Sequence, residues 1–188
     1  MSFNRSYVNI IRRKVGNVTF HPIADNVLVS TSGDYTLKMW DVMKSSNQVT
    51  LKHSDIIQSL SLNRDGSSLV TTCRDKRIRI WDPRVNKVAQ ETPGHTGAKN
   101  SRAVYINNER IATTGFGKMS DRQLGLWDVR QLTTPIGGFT TLDQSAGVIM
   151  VPLYIDTGLI LSLSTTTTPK CCISLAKGGK LYSLSNWI

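Results

Sequence analysis

The sequence predicts an all-β fold, a partial β-propeller of about three and a half blades of four-stranded antiparallel sheet. Three observations carry this expectation. The dipeptide Trp-Asp occurs at Trp40-Asp41, Trp81-Asp82 and Trp127-Asp128, with successive tryptophans 41 and 46 residues apart. An aspartate stands six positions before each tryptophan: Asp34, Asp75 and Asp121. Between them polar and apolar residues alternate, through Leu37 and Met39, Ile78 and Ile80, and Leu124 and Leu126. A period of two marks a half-buried strand. A strand-turn-strand unit recurring at this interval marks a propeller blade.

The elements follow in order. The first unit opens with VGNVTFHP and NVLVSTS on either side of the turn IADN. The second opens with IIQSLSLNRDG and SSLVTTC, where Arg64-Asp65-Gly66 is a hairpin signal. The third has SRAVYINNE and RIATTGF around Asn107-Asn108. In each unit the Trp-Asp strand comes third, entered from a tight turn headed by aspartate, and a weaker fourth strand follows. The partial propeller is placed at 1–161, with blades at about 8–50, 51–92 and 93–140 and an incomplete blade at 141–161. Residues 162–188, with Thr165 to Thr168, Pro169 and Cys171-Cys172, read as a divergent low-complexity tail.

Composition narrows the class. The chain has 188 residues, 39% of them hydrophobic, enough for a real core. No run of 18 or more apolar residues is present, which excludes a transmembrane helix, and the N-terminal segment has no secretory h-region. Cys73 is isolated and Cys171-Cys172 are adjacent, so neither disulfide framework nor zinc-ligand spacing is present, and the reading is intracellular. The formal net charge is +10. Arg5, Arg12, Arg13 and Lys14 at one end and Lys170, Lys177 and Lys180 at the other supply most of it, with no acid beside them. Such charge favours anionic partners without choosing among them.

Catalytic chemistry finds little support. His53, Ser54 and Asp55 are adjacent, whereas a hydrolytic triad assembles from separate segments. The run GFGK lacks the spacing of a phosphate-binding loop and no helix pattern follows it. The three turn aspartates fall in separate units rather than forming an acid/base pair. His21 reads as a surface or packing residue. No enzyme activity, cofactor or metal is expected.

The repeats resemble the WD-repeat family, and that resemblance implies a buried polar network in each blade: a His, a Ser or Thr, the turn Asp and the Trp. The matching residues are Ser30, Asp34 and Trp40 in the first unit and His53, Thr71, Asp75 and Trp81 in the second. In the third they are His95, Asp121 and Trp127, with Thr113 or Thr114 as the hydroxyl. Ile11 fills the His position of the first unit. Longer stretches, above all TTGFGKMSDRQLGLWD, RDKRIRIWDPR and LDQSAGVIMVPLYIDTGLI, resemble the coronins from about Val8 to Leu161.

The coronin resemblance implies a cytoplasmic, cytoskeleton-associated protein that binds the actin filament and regulates its organisation, together with the actin-nucleating complex. Coronin propellers have about seven blades and a C-terminal coiled coil. The match therefore covers only middle blades, and the oligomerisation coiled coil is absent from this chain. An open partial ring is expected to be marginal or partner-dependent. Arg74, Lys76, Arg77 and Arg79 form a candidate partner-binding basic patch, extended by Arg12, Arg13 and Lys14. No aromatic residues interleave with it to stack bases, so nucleic acid is not expected. The alternatives are a non-functional truncated product, or a generic WD-repeat scaffold for a protein or ribonucleoprotein complex.

Overall fold

The computed structural model describes residues 13–144 and 146–148 in full, and beyond them the backbone of four more strands. The first sheet is β1 (Val15–Phe20), β2 (Val27–Ser32), β3 (Thr36–Asp41) and β4 (Ser46–Lys52). The second is β5 (Ile57–Leu62), β6 (Leu69–Cys73), β7 (Arg77–Asp82) and β8 (Lys87–Pro93). The third is β9 (Arg102–Tyr105), β10 (Arg110–Phe116), β11 (Arg122–Asp128) and β12 (Thr140–Asp143). The fourth is β13 (Leu153–Tyr154), β14 (Leu159–Ser162), β15 (Cys172–Lys177) and β16 (Lys180–Leu184). Each is a meander whose strands pair in sequence order, all antiparallel. No helix occurs among the described residues. Every Trp-Asp pair ends the third strand of its sheet.

The fourth sheet runs past the expected boundary at 161. Strands β15 and β16, from the segment read as a tail, pair with each other and with β14. The low complexity is confined to the threonine run. After it Ile173 and Leu175 alternate with Ser174 and Ala176, a period-two pattern. Lys177 then faces Lys180 across a two-residue connection, Gly178-Gly179 in the sequence, which is a hairpin signal.

The core lies between the sheets. Val29, Leu37, Met39 and Leu51 of the first sheet pack on Ile57, Leu69, Cys73 and Trp81 of the second. Val70, Ile78 and Ile80 of the second pack on Ala103, Tyr105, Ile111 and Trp127 of the third. Leu69 and Val70 are neighbours in the chain yet serve different seams, because successive strand residues point to opposite faces. Hence β6 is buried along its whole length, while β8, the last strand of the same sheet, is mostly exposed.

Polar contacts join the blades at their innermost strands. The Ala103 amide donates to Ser59 Oγ at 2.9 Å and the Tyr105 amide to Ser61 Oγ at 3.1 Å. The hydroxyls of β5 thus satisfy edge donors of β9 that no strand pairs. On the other seam, His21 Nδ1 accepts the amides of Ile23 and Ala24, so its Nε2–H donates to the Gly66 carbonyl at 3.3 Å. Gly66 has φ +72°, and a Cβ there would lie 2.0 Å from the His21 ring. His21 is therefore a packing residue between two blades. Strand β1 carries exposed apolar side chains, Val18 and Phe20.

Cys73 sits in the first seam, 1% exposed, and burial pushes its thiol up to about 12. Since the thiolate is the reactive form, native protein treated with iodoacetamide at pH 8 is expected to leave Cys73 unmodified. Peptide mass mapping checks this. Alkylation of Cys73 at the rate of the denatured chain would contradict the seam.

Candidate functional site

Two groups of sequence-singled residues meet in space: the blade networks and the basic cluster. In the second blade His53 Nε2 lies 3.1 Å from Thr71 Oγ1, and Trp81 Nε1 donates to the same oxygen at 3.0 Å. In the third, His95 Nε2 lies 3.0 Å from Thr113 Oγ1, and Trp127 Nε1 donates to it at 2.8 Å. Thr113, rather than Thr114, is thus the shared hydroxyl. It lies on β10, and His95 can approach that strand because residue 115 is glycine: a Cβ there would lie 2.4 Å from His95 Cγ. In the first blade Trp40 Nε1 donates to Ser30 Oγ at 2.8 Å. Ile11, at the missing His position, lies outside the described residues.

The turn aspartates do not join these networks as expected. Asp34 Oδ1 accepts the Thr36 amide and hydroxyl at 3.1 and 2.6 Å, and Asp75 Oδ1 accepts the Arg77 amide at 3.1 Å. Each holds a turn whose next residue, Tyr35 or Lys76, has positive φ. Such a conformation is uncommon for a residue with a Cβ, and the side-chain acceptor stabilises it. In the third blade Asp121 accepts Gln123 Nε2 at 2.7 Å instead. A carboxylate near the surface finds donors more cheaply in its own turn than in a buried imidazole, which is why the His–Thr–Trp set stands without it.

The basic cluster is largely neutralised. Arg79 is 6% exposed, with Nη2 donating to Asp75 Oδ2 at 2.5 Å and Ser54 Oγ at 3.1 Å, and Nε to Glu91 Oε2 at 3.1 Å. It cannot reach a partner, which corrects its place in the patch. The cause is register: Arg79 stands opposite Glu91 on β8. Arg77 pairs with Glu91 at 2.7 Å and Arg74 with Asp55 at 3.1 Å, while Lys76 Nζ donates to the Thr96 carbonyl at 2.7 Å. Burial opposes the charged form of Asp75, but Arg79, Ser54 and the Arg77 amide outweigh it and hold the carboxyl below its ordinary value. Arg122 repeats the device in the third blade, buried on β11 and paired through two arms to Asp143. Sequence reading missed both buried arginines. The signal was the opposite-sign residue one hairpin later.

What remains cationic and exposed gathers at one end of the blades. Arg13 and Lys14 lie beside the β2–β3 turn, their carbonyls accepting from Ser32 Oγ and the Gly33 amide. Lys52 closes β4 at the same end, Lys76 occupies the β6–β7 turn and Lys118 the β10–β11 turn. Arg12 lies outside the described residues. Among the described residues no group of three or more His, Cys, Asp or Glu could hold a metal ion.

Known proteins share this arrangement. The family model described as "WD domain, G-beta repeat" matches residues 45–82. A coronin-like protein of Saccharomyces cerevisiae is 50% identical over 153 residues, covering 80% of this chain and 23% of that protein. The coronin-like protein crn1 of Schizosaccharomyces pombe is 52% identical over 153 residues, covering 81% of this chain and 25% of that protein. The chain thus spans about a quarter of the length of these relatives. Among solved structures, the WD40 domain from Toxoplasma gondii coronin superposes with a TM-score of 0.86 at 26% identity, over 92% of this chain and 45% of that one. The structure of U3-55K gives 0.72 at 14% identity, over 92% and 52%, a likeness of fold alone.

Proposed function

Because this chain is a coronin-family protein built of WD-repeat blades, we propose that it is a non-catalytic binding module that engages actin filaments and takes part in organising the cytoskeleton in the cytoplasm. The observation that carries this reading is the identity of about half with two coronin-like proteins over 153 residues. The residues that would meet an acidic filament are the exposed cations at the β2–β3 end: Arg13, Lys14, Lys52, Lys76 and Lys118. Of the strand-face patch only Lys76 is kept, since Arg74, Arg77 and Arg79 pair with the carboxylates Asp55, Asp75 and Glu91. Rim charges of this kind act through long-range attraction that salt screens.

Co-sedimentation with filamentous actin at two salt concentrations tests the proposal. The chain is expected to pellet with filaments at low salt and to release as salt rises. A chain with Lys14, Lys52 and Lys76 changed to glutamate is expected to stay in the supernatant. No pelleting above background at low salt would sink the actin reading. Equal binding to an oligonucleotide would favour the ribonucleoprotein scaffold instead.

A further inference from the structure

At the opposite end of the blades a cavity of about 570 Å³ opens between the ends of β1, β5 and β9 and the turns that follow them. Ligand-binding pockets fall in this size range, mostly apolar with a few placed polar groups. Its walls are Phe20, Ile23, Leu60, Leu62, Tyr105 and Ile106. Phe20 and Ile23 are each 67% exposed, so the site already presents uncovered apolar surface in the aqueous protein. Residues from three neighbouring strand ends form an open trough, which suits an extended chain better than a compact solute.

The trough is preorganised. Asn63 holds its turn through Ser67 Oγ and the Ser68 amide, at 3.1 and 3.0 Å. Asn107 accepts the amides of Glu109 and Arg110 at 2.9 and 2.8 Å. The Arg64 amide donates to Asn108 Oδ1 at 3.2 Å, tying the turns of two blades together. Among the lining residues Arg64 is the single ionised side chain. The nearby acids are engaged elsewhere: Asp65 accepts the Ser67 amide at 2.9 Å and Glu109 pairs with Arg130 at 2.8 Å. The site therefore combines an apolar floor with one cation at its rim.

We propose that this trough binds an acidic peptide segment of a partner protein, seating one or two large apolar side chains against Phe20, Ile23 and Leu62 and a carboxylate on Arg64. The complementarity is of charge as well as polarity, since an anionic segment also approaches a chain of net charge +10. The site lies at the far end from the cations assigned to the filament, so its success or failure is independent of the actin reading.

The test uses the full chain and a fluorescein-labelled heptapeptide of leucines and a phenylalanine spaced by glutamates, with its lysine-for-glutamate counterpart as the second probe. Fluorescence anisotropy is expected to show saturable binding of the acidic peptide, about tenfold or more tighter than the basic one. Arg64→Glu is expected to abolish that preference, and Ile23→Ser to weaken the acidic peptide about fivefold or more. Both side chains are exposed, and circular dichroism of the variants confirms that they fold. Lys87→Glu, on the exposed outer strand β8 away from the trough, leaves binding unchanged. Equal affinity for the two peptides, no binding at millimolar concentration, or wild-type affinity in Arg64→Glu would overturn the proposal.

Discussion

Replacing Trp127 with alanine is expected to destabilise the chain by about 3–5 kcal/mol, a large part of the stability of a typical domain. Trp127 is 1% exposed and belongs to the seam between the second and third blades. Its ring meets Phe139 edge-on at 5.9 Å, and its Nε1 is a donor to Thr113. The variant leaves a cavity and removes a hydrogen bond from a buried hydroxyl, two costs that add. Trp40 makes the equivalent bond to Ser30, but it is only half-buried, on the outer side of the first blade. Trp40→Ala is therefore expected to destabilise by roughly 2 kcal/mol less, scaled by the smaller area it buries. Urea melts followed by circular dichroism read both. If the two variants had equal midpoints, or Trp40→Ala were the weaker protein, the seam would not be where the fold holds.

Acidification is expected to have a comparable effect. Burial pushes His53 down to about 4, helped by the charge of Arg79, and burial pushes His95 down to about 4. Both imidazoles are thus neutral in the folded chain, while the unfolded chain takes up protons as pH falls through 6.5. Stability conferred by the neutral forms is complete above pH 6.5 and is lost between 6.5 and about 4. The shifts correspond to about 3 kcal/mol for each histidine. The paired carboxylates Asp34 and Asp75 are held below their ordinary value, so they add a loss at lower pH still. The window from pH 6.5 to 5 isolates the histidines. Urea midpoints measured by tryptophan fluorescence should fall steadily across it, and His95→Gln should flatten the slope by about half. Midpoints that do not move between pH 7 and 5 would contradict buried neutral imidazoles.

Most of the framework was legible because it rests on local chemistry. Alternation placed β1 to β3, β5 to β7 and β9 to β11, and Asp65-Gly66 marked a turn that needs positive φ. The Trp-Asp spacing located the third strand of each blade. Long-range pairing was not legible. Arg79 looked like a solvated cation because the carboxylate that buries it, Glu91, stands twelve residues later on another strand. The role expected of Asp75 in the blade network failed for a related reason, since its nearest donors are its own turn and that same arginine. The hairpin of β15 and β16 was obscured by the threonine run ahead of it, although Ile173, Leu175 and Leu181 carried the pattern. The trough at the β1, β5 and β9 ends had no sequence signature, because three separate units each contribute three to five residues to it.

The contact of His21 with Gly66 bears on how such a chain can vary. Position 66 is restricted twice over, by its backbone angle and by the imidazole that fills the space of any side chain. Shrinking His21 lifts only the second restriction and also removes the bond that ties the blades. The two positions, 45 residues apart, therefore constitute one heritable unit. A change tolerated at 66 presupposes an earlier change at 21, and the order in which the two arise decides whether either survives.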